Sequence, residues 1–269
     1  MAPIRASRSG WRTLVPWARS AWTWLRAAPA QLLWILALLA SWPLLRLARL
    51  ALVPLLPDVL FCGSSACREL AITIDDGPSP GSDQLLELLA QLQVPATLFL
   101  IGGHLERGPA DFVGRALTAG HQIGNHLLLD ALSARLDADA FTAQLRLTEQ
   151  ALQRAAAPRC LALHWCRPGG GWFHRRMLGQ LAAAGYRLAL GSLFPLDTCH
   201  PPAWFLVHFL LLNTHPGGVI VLHDRPDTLP ATLATLGQAV PALQRRGYRF
   251  VRLEDLGGPG QALGSAEPA

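Results

Sequence analysis

The sequence predicts an α/β fold in which parallel strands and crossover helices form a (β/α) barrel, preceded by one membrane-spanning helix. Beyond residue 66, apolar β-type runs alternate with helical stretches six or seven times, which is typical of parallel strands joined by helices. Polar residues follow several of these strands, and functional groups of such barrels lie at the C-terminal strand ends. Ahead of this region is an uncharged run of nineteen residues, nearly enough to cross a bilayer.

The uncharged run covers residues 27–45 and reads AAPAQLLWILALLASWPLL. As a helix it would be about 28 Å long at roughly 1.5 Å per residue. Residues 1–57 contain seven arginines and no acidic residue, and five of the arginines precede the run. This favours a membrane anchor with a cytoplasmic N-terminus and a body outside the cytoplasm. The alternatives are a cleaved signal peptide that releases a secreted protein, an amphipathic surface helix, or a buried helix.

Charge and composition exclude several classes of function. The net charge is +5, but beyond residue 57 there are 16 arginines against 18 acidic residues. A nucleic-acid partner is therefore not expected, because it requires basic residues on the folded face. The chain has no lysine and no G-x-S-x-G stretch, which argues against Schiff-base, Walker-type and serine-triad chemistry. Cys62 and Cys67 either close a short disulfide loop or are free thiols.

The body is expected to contain seven strands and six helices in alternation. The first half is predicted as strand 69–75, helix 82–92, strand 96–101, helix 110–120, strand 121–124 and helix 138–156. The second half is predicted as strand 161–166, helix 174–185, strand 186–191, helix 202–213, strand 217–224, helix 232–247 and strand 248–255. Residues 257–269 are poor in hydrophobic side chains, and we expect them to be disordered.

Ionisable residues stand at five of the predicted strand ends. They are Asp75 and Asp76 in TIDDGPSP, His126 and Asp130 in GNHLLLD, Arg167 in RPGGG, Asp197 in FPLD and His223 in IVLHD. Neighbouring strand residues point to opposite sides, so Asp75 and Asp76 are expected to differ in role, one facing a metal ion and the other water. The spacing of His126 and Asp130 predicts that both lie on one face of a helical turn.

The ordered motifs TIDDGPSP, GHQIGNHLLLD, RPGGGW, FPLD and IVLHD resemble those of the polysaccharide deacetylase family, the NodB-homology carbohydrate esterases of family 4, over residues 67–256. The resemblance implies a distorted (β/α) barrel and one divalent ion, usually zinc, with manganese, cobalt or magnesium as alternatives. It implies removal of N-acetyl groups from chitin-like, peptidoglycan or exopolysaccharide polymers. The expected domains are a membrane anchor with an arginine-rich N-terminus (1–58), a deacetylase domain (67–256) and a tail (257–269).

Three residues match the metal ligands of that family. The resemblance implies Asp76 and His126 as ligands, and a neutral imidazole suits zinc. Where the family has a second histidine, four residues further on, this chain has Asp130. A carboxylate is a competent ligand, but a second anion would weaken the Lewis acidity of the ion and make manganese or magnesium more acceptable. Asp130 is therefore the expected third ligand, and a capping or solvent-facing role is the alternative.

The remaining motif residues match catalytic roles. The resemblance implies that Asp75 is the general base for the attacking water and that Arg167 orients it. It implies that His223 is the general acid for the departing amine, held by Asp197. The other histidines lack motif support and are expected to be structural or on the surface. The alternative to an enzyme is a membrane-tethered, non-catalytic glycan binder, which the aspartate at position 130 and the altered third and fourth motifs suggest.

Overall fold

The structure is a computed structural model that describes residues 16–257, with side-chain surroundings from residue 31 onward. The chain divides into two compact units, Met1–Ala40 and Ser41–Ala269. The first fifteen residues, with three of the arginines, and the predicted tail after residue 257 lie outside the described residues. The division into an anchor (1–58), a deacetylase domain (67–256) and a tail (257–269) stays a prediction.

One long helix contains the predicted membrane span. This helix, α1, runs from Pro16 to Leu55. Its part from Gln31 to Leu55 is long and apolar enough to cross a membrane, and almost none of it is buried. Leucines along it are largely exposed, such as Leu39 at 65%. A membrane anchor and a signal sequence both have these properties.

In the part of the chain that the structure describes, eight strands form a single sheet in which every pair of neighbouring strands is parallel. They are β1 (Val59–Leu60), β2 (Glu69–Gly77), β3 (Thr97–Leu100), β4 (Gln122–Asn125), β5 (Trp165–Cys166), β6 (Arg187–Ala189), β7 (Gly218–His223) and β8 (Arg249–Val251). The order is β1-β6-β5-β4-β3-β2-β7, and β8 pairs with β2. Isolated bridges from Cys62 to Gly218 and from Leu193 to Ile220 connect the two ends of the sheet. The predicted distorted (β/α) barrel is confirmed.

Within residues 16–257, six further α-helices cover the sheet. They are α2 (Ser82–Leu92), α3 (Phe112–Thr118), α4 (Ala138–Ala156), α5 (Arg175–Ala183), α6 (Ala203–Asn213) and α7 (Leu229–Arg245). The bounds of α2 and α4 agree with the prediction. Strand β5 is shorter than predicted, because the backbone N–H and C=O of Leu161 are hydrogen-bonded to the side-chain amide of Gln153 and not to a neighbouring strand. Strand β1 was not predicted, because its two residues are too few to give a sequence pattern.

Strand β2 is buried along its whole length and organises the barrel. It pairs with β7 from Leu70 to Asp75, and Asp75 lies directly opposite His223 in this register. The apolar core at its side contains Ala71, Phe99, Trp165, Ala189, Val219, Val251, Leu253 and Leu256. Since all strands run the same way, the predicted strand-end residues are brought to one end of the barrel.

Candidate active site

Asp75 and Arg167 form a buried ion pair at the centre of this end. The Nη1 of Arg167 donates to Asp75 Oδ1 at 2.6 Å and to Thr73 Oγ1 at 2.8 Å, and its Nε donates to the carbonyl of Ala189 at 2.9 Å. The guanidinium carbon lies 4.3 Å from the ring centre of Phe99, a cation–π distance. Strands β2, β5 and β6 therefore fix one oxygen of the Asp75 carboxylate.

Asp76 does not follow the alternation expected of a regular strand. Its φ angle is +68°, and the pairing of β2 with β3 shifts between Ile74 and Gly77. Positive φ is uncommon for a non-glycine residue, and a shift of pairing interrupts the regular alternation of side chains. Both carboxylates act on the pKa of His126 and of His223, so they reach the same site, and the expected difference in their roles stays a prediction.

His126 connects Asp76 to the Arg167 backbone. Its Nδ1 lies 2.6 Å from the carbonyl oxygen of Arg167 and its Nε2 lies 3.1 Å from Asp76 Oδ1. Burial alone would lower the pKa of His126, but the carboxylates of Asp75 and Asp76 outweigh it and raise that pKa. Nδ1 faces a carbonyl oxygen, which can only accept a hydrogen bond, so Nδ1 carries a ring proton, and Nε2 is the nitrogen turned to the Asp76 carboxylate.

The pKa of Asp76 reflects the same contacts. Burial on its own would raise this pKa, but the hydrogen bond from His126 and the charges of His126, His223 and Arg225 lower it to about 2. The carboxylate is consequently ionised at neutral pH. Asp76 is therefore a buried anion, with only 7% of the residue's surface exposed.

Asp130 lies at the rim of the site. Residues 126–131 belong to no helix or strand and are bent from residue 128 onward, and Leu127 has a φ of +63°. The expected helical turn is therefore wrong, and the four-residue spacing does not align Asp130 with His126. Instead Asp130 Oδ2 accepts a hydrogen bond from Nη1 of Arg225 at 3.2 Å, and its side chain is 48% exposed.

His223 is held by both oxygens of Asp197. Its Nδ1 lies 2.8 Å from Asp197 Oδ1, and its backbone N–H donates to Asp197 Oδ2 at 2.8 Å. Burial would lower the pKa of His223, but the hydrogen bond with Asp197 and the charges of Asp75 and Asp197 raise it. The Phe194 ring packs edge-on at 5.8 Å between centroids. Nε2 is left as the ring nitrogen that can exchange a proton with a bound molecule.

The donors present suit the divalent ion that the resemblance implies. Asp76 and His126 supply an ionised carboxylate and an imidazole whose Nδ1–H is fixed on a carbonyl, the usual second contact of a metal-bound histidine. Among the described residues, no three histidine, cysteine or acidic side chains are already gathered as a metal site. Asp130 would have to move inward to complete one. The set of one nitrogen and two carboxylates nevertheless fits zinc or a harder ion.

Three contacts around the site were not anticipated. Arg225 had a detectable signal, its position directly after LHD at a strand end. His104 donates from Nδ1 to the carbonyl of Asp76 at 2.8 Å, and nothing in its surrounding sequence indicates that contact. Asp224 accepts from Ser79 Oγ at 2.6 Å, which ties the turn after β2 to the end of β7. A cavity of about 340 Å³ opens beside these residues.

Comparison with known proteins shows the family. The sequence profile described as polysaccharide deacetylase matches residues 63–189. A peptidoglycan-N-acetylglucosamine deacetylase of Bacillus cereus is 30% identical over 190 residues, which is 70% of this chain and 87% of the relative. A chitooligosaccharide deacetylase of Rhizobium leguminosarum bv. trifolii is 32% identical over 193 residues, 67% of this chain and 88% of the relative. The chain belongs to the polysaccharide deacetylase family.

Solved structures of polysaccharide deacetylases share the fold. The Bc1960 peptidoglycan N-acetylglucosamine deacetylase is similar with a TM-score of 0.70 and 29% identity, covering 74% of this chain and 92% of that one. BA3943 of Bacillus anthracis, described as a pseudoenzyme of carbohydrate esterase family 4, has a TM-score of 0.66 at 20% identity, with 74% and 68% covered. The second likeness shows the fold alone. Family membership is thus established, and the residue roles are a separate matter.

Proposed function

We propose that this chain is a metal-dependent hydrolase that removes N-acetyl groups from the amino sugars of a polysaccharide. The observation that carries the proposal is the register of β2 and β7, which sets Asp75 directly opposite His223. Each of the two has its own partner of opposite charge, Arg167 for the base and Asp197 for the acid. A base and an acid side by side are what amide hydrolysis requires.

Asp75 is the proposed general base. Arg167 holds Asp75 Oδ1 at 2.6 Å, so the second carboxylate oxygen is left to accept a proton from the attacking water. A carboxylate oxygen that is free of the guanidinium is the atom that can act as a base. Thr73 and Ala189 fix the same guanidinium, and this keeps the carboxylate from rotating as the proton moves.

His223 is the proposed general acid. Its raised pKa, which results from Asp197 and Asp75 against the effect of burial, favours the protonated ring that a general acid requires. Asp197 binds Nδ1 and the backbone N–H, so the proton that leaves is the one on Nε2. Transfer of this proton to the amide nitrogen releases the amine as the C–N bond breaks and acetate forms.

Asp76, His126 and Asp130 are the residues that would hold the divalent ion. When bound, such an ion supplies Lewis-acid polarisation of the acetamide carbonyl and of the attacking water. The protein's own part is to present an ionised Asp76, at a pKa of about 2, and a ring-fixed His126. Zinc is the first candidate, and two carboxylates make manganese, cobalt or magnesium acceptable.

Polymers that contain N-acetylglucosamine are the proposed substrates. This rests on the names of the relatives, a peptidoglycan and a chitooligosaccharide deacetylase. The apolar helix Gln31–Leu55 and the arginine-rich approach favour an anchored chain with this domain outside the cytoplasm, where a cell-wall or exported polymer is accessible. A cleaved signal sequence, which would give a secreted enzyme, is the alternative.

Acetate release from N-acetylglucosamine oligomers and from peptidoglycan tests the proposal. Asp75→Asn should lower the rate by about 10²- to 10⁴-fold, the usual contribution of a general base. Asp83→Asn removes an exposed carboxylate on α2 and should leave the rate unchanged. Acetate release that is equal in Asp75→Asn and in the unsubstituted chain would rule out the assigned chemistry.

A non-catalytic glycan binder is the second candidate. The observation in its favour is the pairing of Asp130 with Arg225, which leaves the predicted third ligand turned to an arginine. It predicts glycan binding, measured by calorimetry, without acetate release at any added divalent ion. Acetate release that requires Asp75 would exclude this candidate.

A further inference from the structure

The guanidinium of Arg225 lies between the two carboxylates that are proposed to bind the metal ion. Its Nη1 is 3.2 Å from Asp130 Oδ2 and 3.6 Å from Asp76 Oδ2. One cationic nitrogen thus serves both acids, in the place where a divalent cation would be attracted. In the described part of the chain, Arg225 is the arginine whose side chain contacts both of these carboxylates.

Two features keep Arg225 there without making it immobile. Its Nε donates to Asp227 Oδ1 at 3.2 Å, and its backbone N–H donates to Thr228 Oγ1 at 3.3 Å. The side chain is 37% exposed, unlike the buried Arg167. Because Asp227 is itself exposed, the guanidinium can leave Asp76 and Asp130 while it keeps one carboxylate partner.

The electrostatic consequence concerns metal affinity. The positive charge on Arg225 reduces the repulsion between Asp76 and Asp130, so the site is stable without an ion. The same charge repels a divalent ion at short range and competes for the same oxygens. Metal binding therefore includes the cost of moving the arginine away.

We propose that Arg225 is a tethered cation that neutralises Asp76 and Asp130 in the metal-free chain and that a divalent ion displaces it. The inference rests on the proposed function in one respect, the assignment of these two carboxylates as ligands. It goes further in giving this chain a metal site whose affinity is set by an internal competitor. On displacement, the guanidinium is retained by Asp227.

Zinc affinity of the full chain in detergent, measured by competition with a chromogenic chelator, tests the proposal. Arg225→Gln should bind Zn²⁺ at least about tenfold more tightly than the unsubstituted chain, which corresponds to about 1.4 kcal/mol. Arg107→Gln is the matched control, because Arg107 lines the same cavity and forms no ion pair within the described residues. It should change the affinity by less than about twofold, well below the tenfold step that 1.4 kcal/mol represents.

A second pair of variants tests the direction of the effect. Asp130→Asn in the Arg225→Gln background should weaken Zn²⁺ binding again, because the freed carboxylate is then a ligand. Asp227→Asn, an exposed change that should not disturb folding, removes the carboxylate that contacts the Arg225 guanidinium and should therefore change the affinity for Zn²⁺. It should do so less when Arg225 is already glutamine, and a double-mutant cycle measures this coupling.

The outcomes separate the two proposals. If the unsubstituted chain binds Zn²⁺ and Arg225→Gln binds it no more tightly, the tethered-cation proposal is overturned and the proposed function stands. If neither protein binds Zn²⁺, both the inference and the metal dependence of the proposed function are overturned. If Arg225→Gln does not fold, as judged by circular dichroism, the Asp227→Asn result decides, and unchanged affinity overturns the inference.

Discussion

At the scale of single residues, Asp197 has the most specific task in the site. It binds the ring and the backbone of the same histidine, with both contacts at 2.8 Å, and it is 1% exposed. Such a buried carboxylate stabilises the charged form of the imidazole against the effect of desolvation. The hydrogen bond with Asp197 is therefore the largest of the contributions that raise the pKa of His223 against the effect of its burial.

The pH dependence of activity should follow from this contact. Asp197→Asn should lower the pKa of His223, so the alkaline fall of kcat/KM should move to lower pH, since the acid must be protonated to act. The free energy of unfolding should depend on pH in the same direction, because folding raises the pKa of His223. This stabilisation is complete below about pH 6.5, the pKa of the ring in the unfolded chain, and is lost as the pH rises through the pKa of the ring in the folded chain. Rates measured from acid to alkaline pH check it.

The control for this prediction is Asp255→Asn. Asp255 pairs with Arg252 on the surface. Its substitution therefore removes one carboxylate, as Asp197→Asn does, but a carboxylate that does not contact the site. Its alkaline limb should coincide with that of the unsubstituted chain. An unmoved limb in Asp197→Asn would show that His223 is not the group that titrates.

At the scale of elements, two short loops support each other below the site. The RPGGG turn after β5 packs against the segment that carries Asp130, and Gly169 N–H donates to Ser133 Oγ at 2.8 Å. A β-carbon on Gly169 would lie 2.2 Å from the carbonyl oxygen of Ala131. Glycine is required here because backbone meets backbone. The turn thereby sets the position of the Asp130 segment.

Gly169→Ala should therefore disturb both stability and activity. The clash is with backbone, so we expect a loss of about 1–3 kcal/mol in the free energy of unfolding, as for other overpacked sites. Displacement of the Asp130 segment should lower kcat as well. Urea denaturation followed by tryptophan fluorescence and acetate release measure the two effects.

A matched glycine is available for comparison. Gly179 lies in α5, and a β-carbon added there would meet no atom within 4 Å. Gly179→Ala should be neutral or stabilising by up to about 1 kcal/mol, the helix preference of alanine over glycine. Equal losses in the two variants would contradict the role assigned to the Gly169 contact.

At the scale of the whole molecule, α1 is long and apolar enough to cross a membrane. The helix has 40 residues, or about 60 Å at 1.5 Å per residue, which is longer than a bilayer core of about 30 Å. Its apolar residues continue through Leu55. A helix of this length is sufficient to cross a bilayer, and as an anchor it would keep the enzyme at the membrane.

The full chain should remain in the membrane pellet after carbonate extraction, at an intact mass of 29.1 kDa. The double variant Leu36→Arg/Leu39→Arg should be released from the membrane, because insertion of each arginine at the centre of a membrane helix costs about 2.5–3.5 kcal/mol. Leu147→Arg, at an exposed leucine of α4, is the control and should stay in the pellet. A shorter mature chain by mass spectrometry would identify a cleaved signal sequence instead.

The order of strands and helices follows from the sequence by itself. Apolar periodicity is a local property, so it predicts α2 and α4 to the residue, and their alternation with strands predicts the parallel barrel. The ionisable residues after the strands are also readable, because parallel strands bring their ends together. None of these properties depends on which side chains meet.

The contacts within the site were decided by tertiary structure. A left-handed Asp76 interrupts the regular alternation of β2, a bent segment sends Asp130 away from His126, and Arg225 lies between Asp76 and Asp130. Each of these three features depends on a backbone angle or on residues that are distant in the chain. Backbone angles and long-range contacts do not produce a periodic pattern in the sequence. The sequence thus determines which ionisable groups lie at the end of the barrel, and tertiary packing determines which of these groups contact one another.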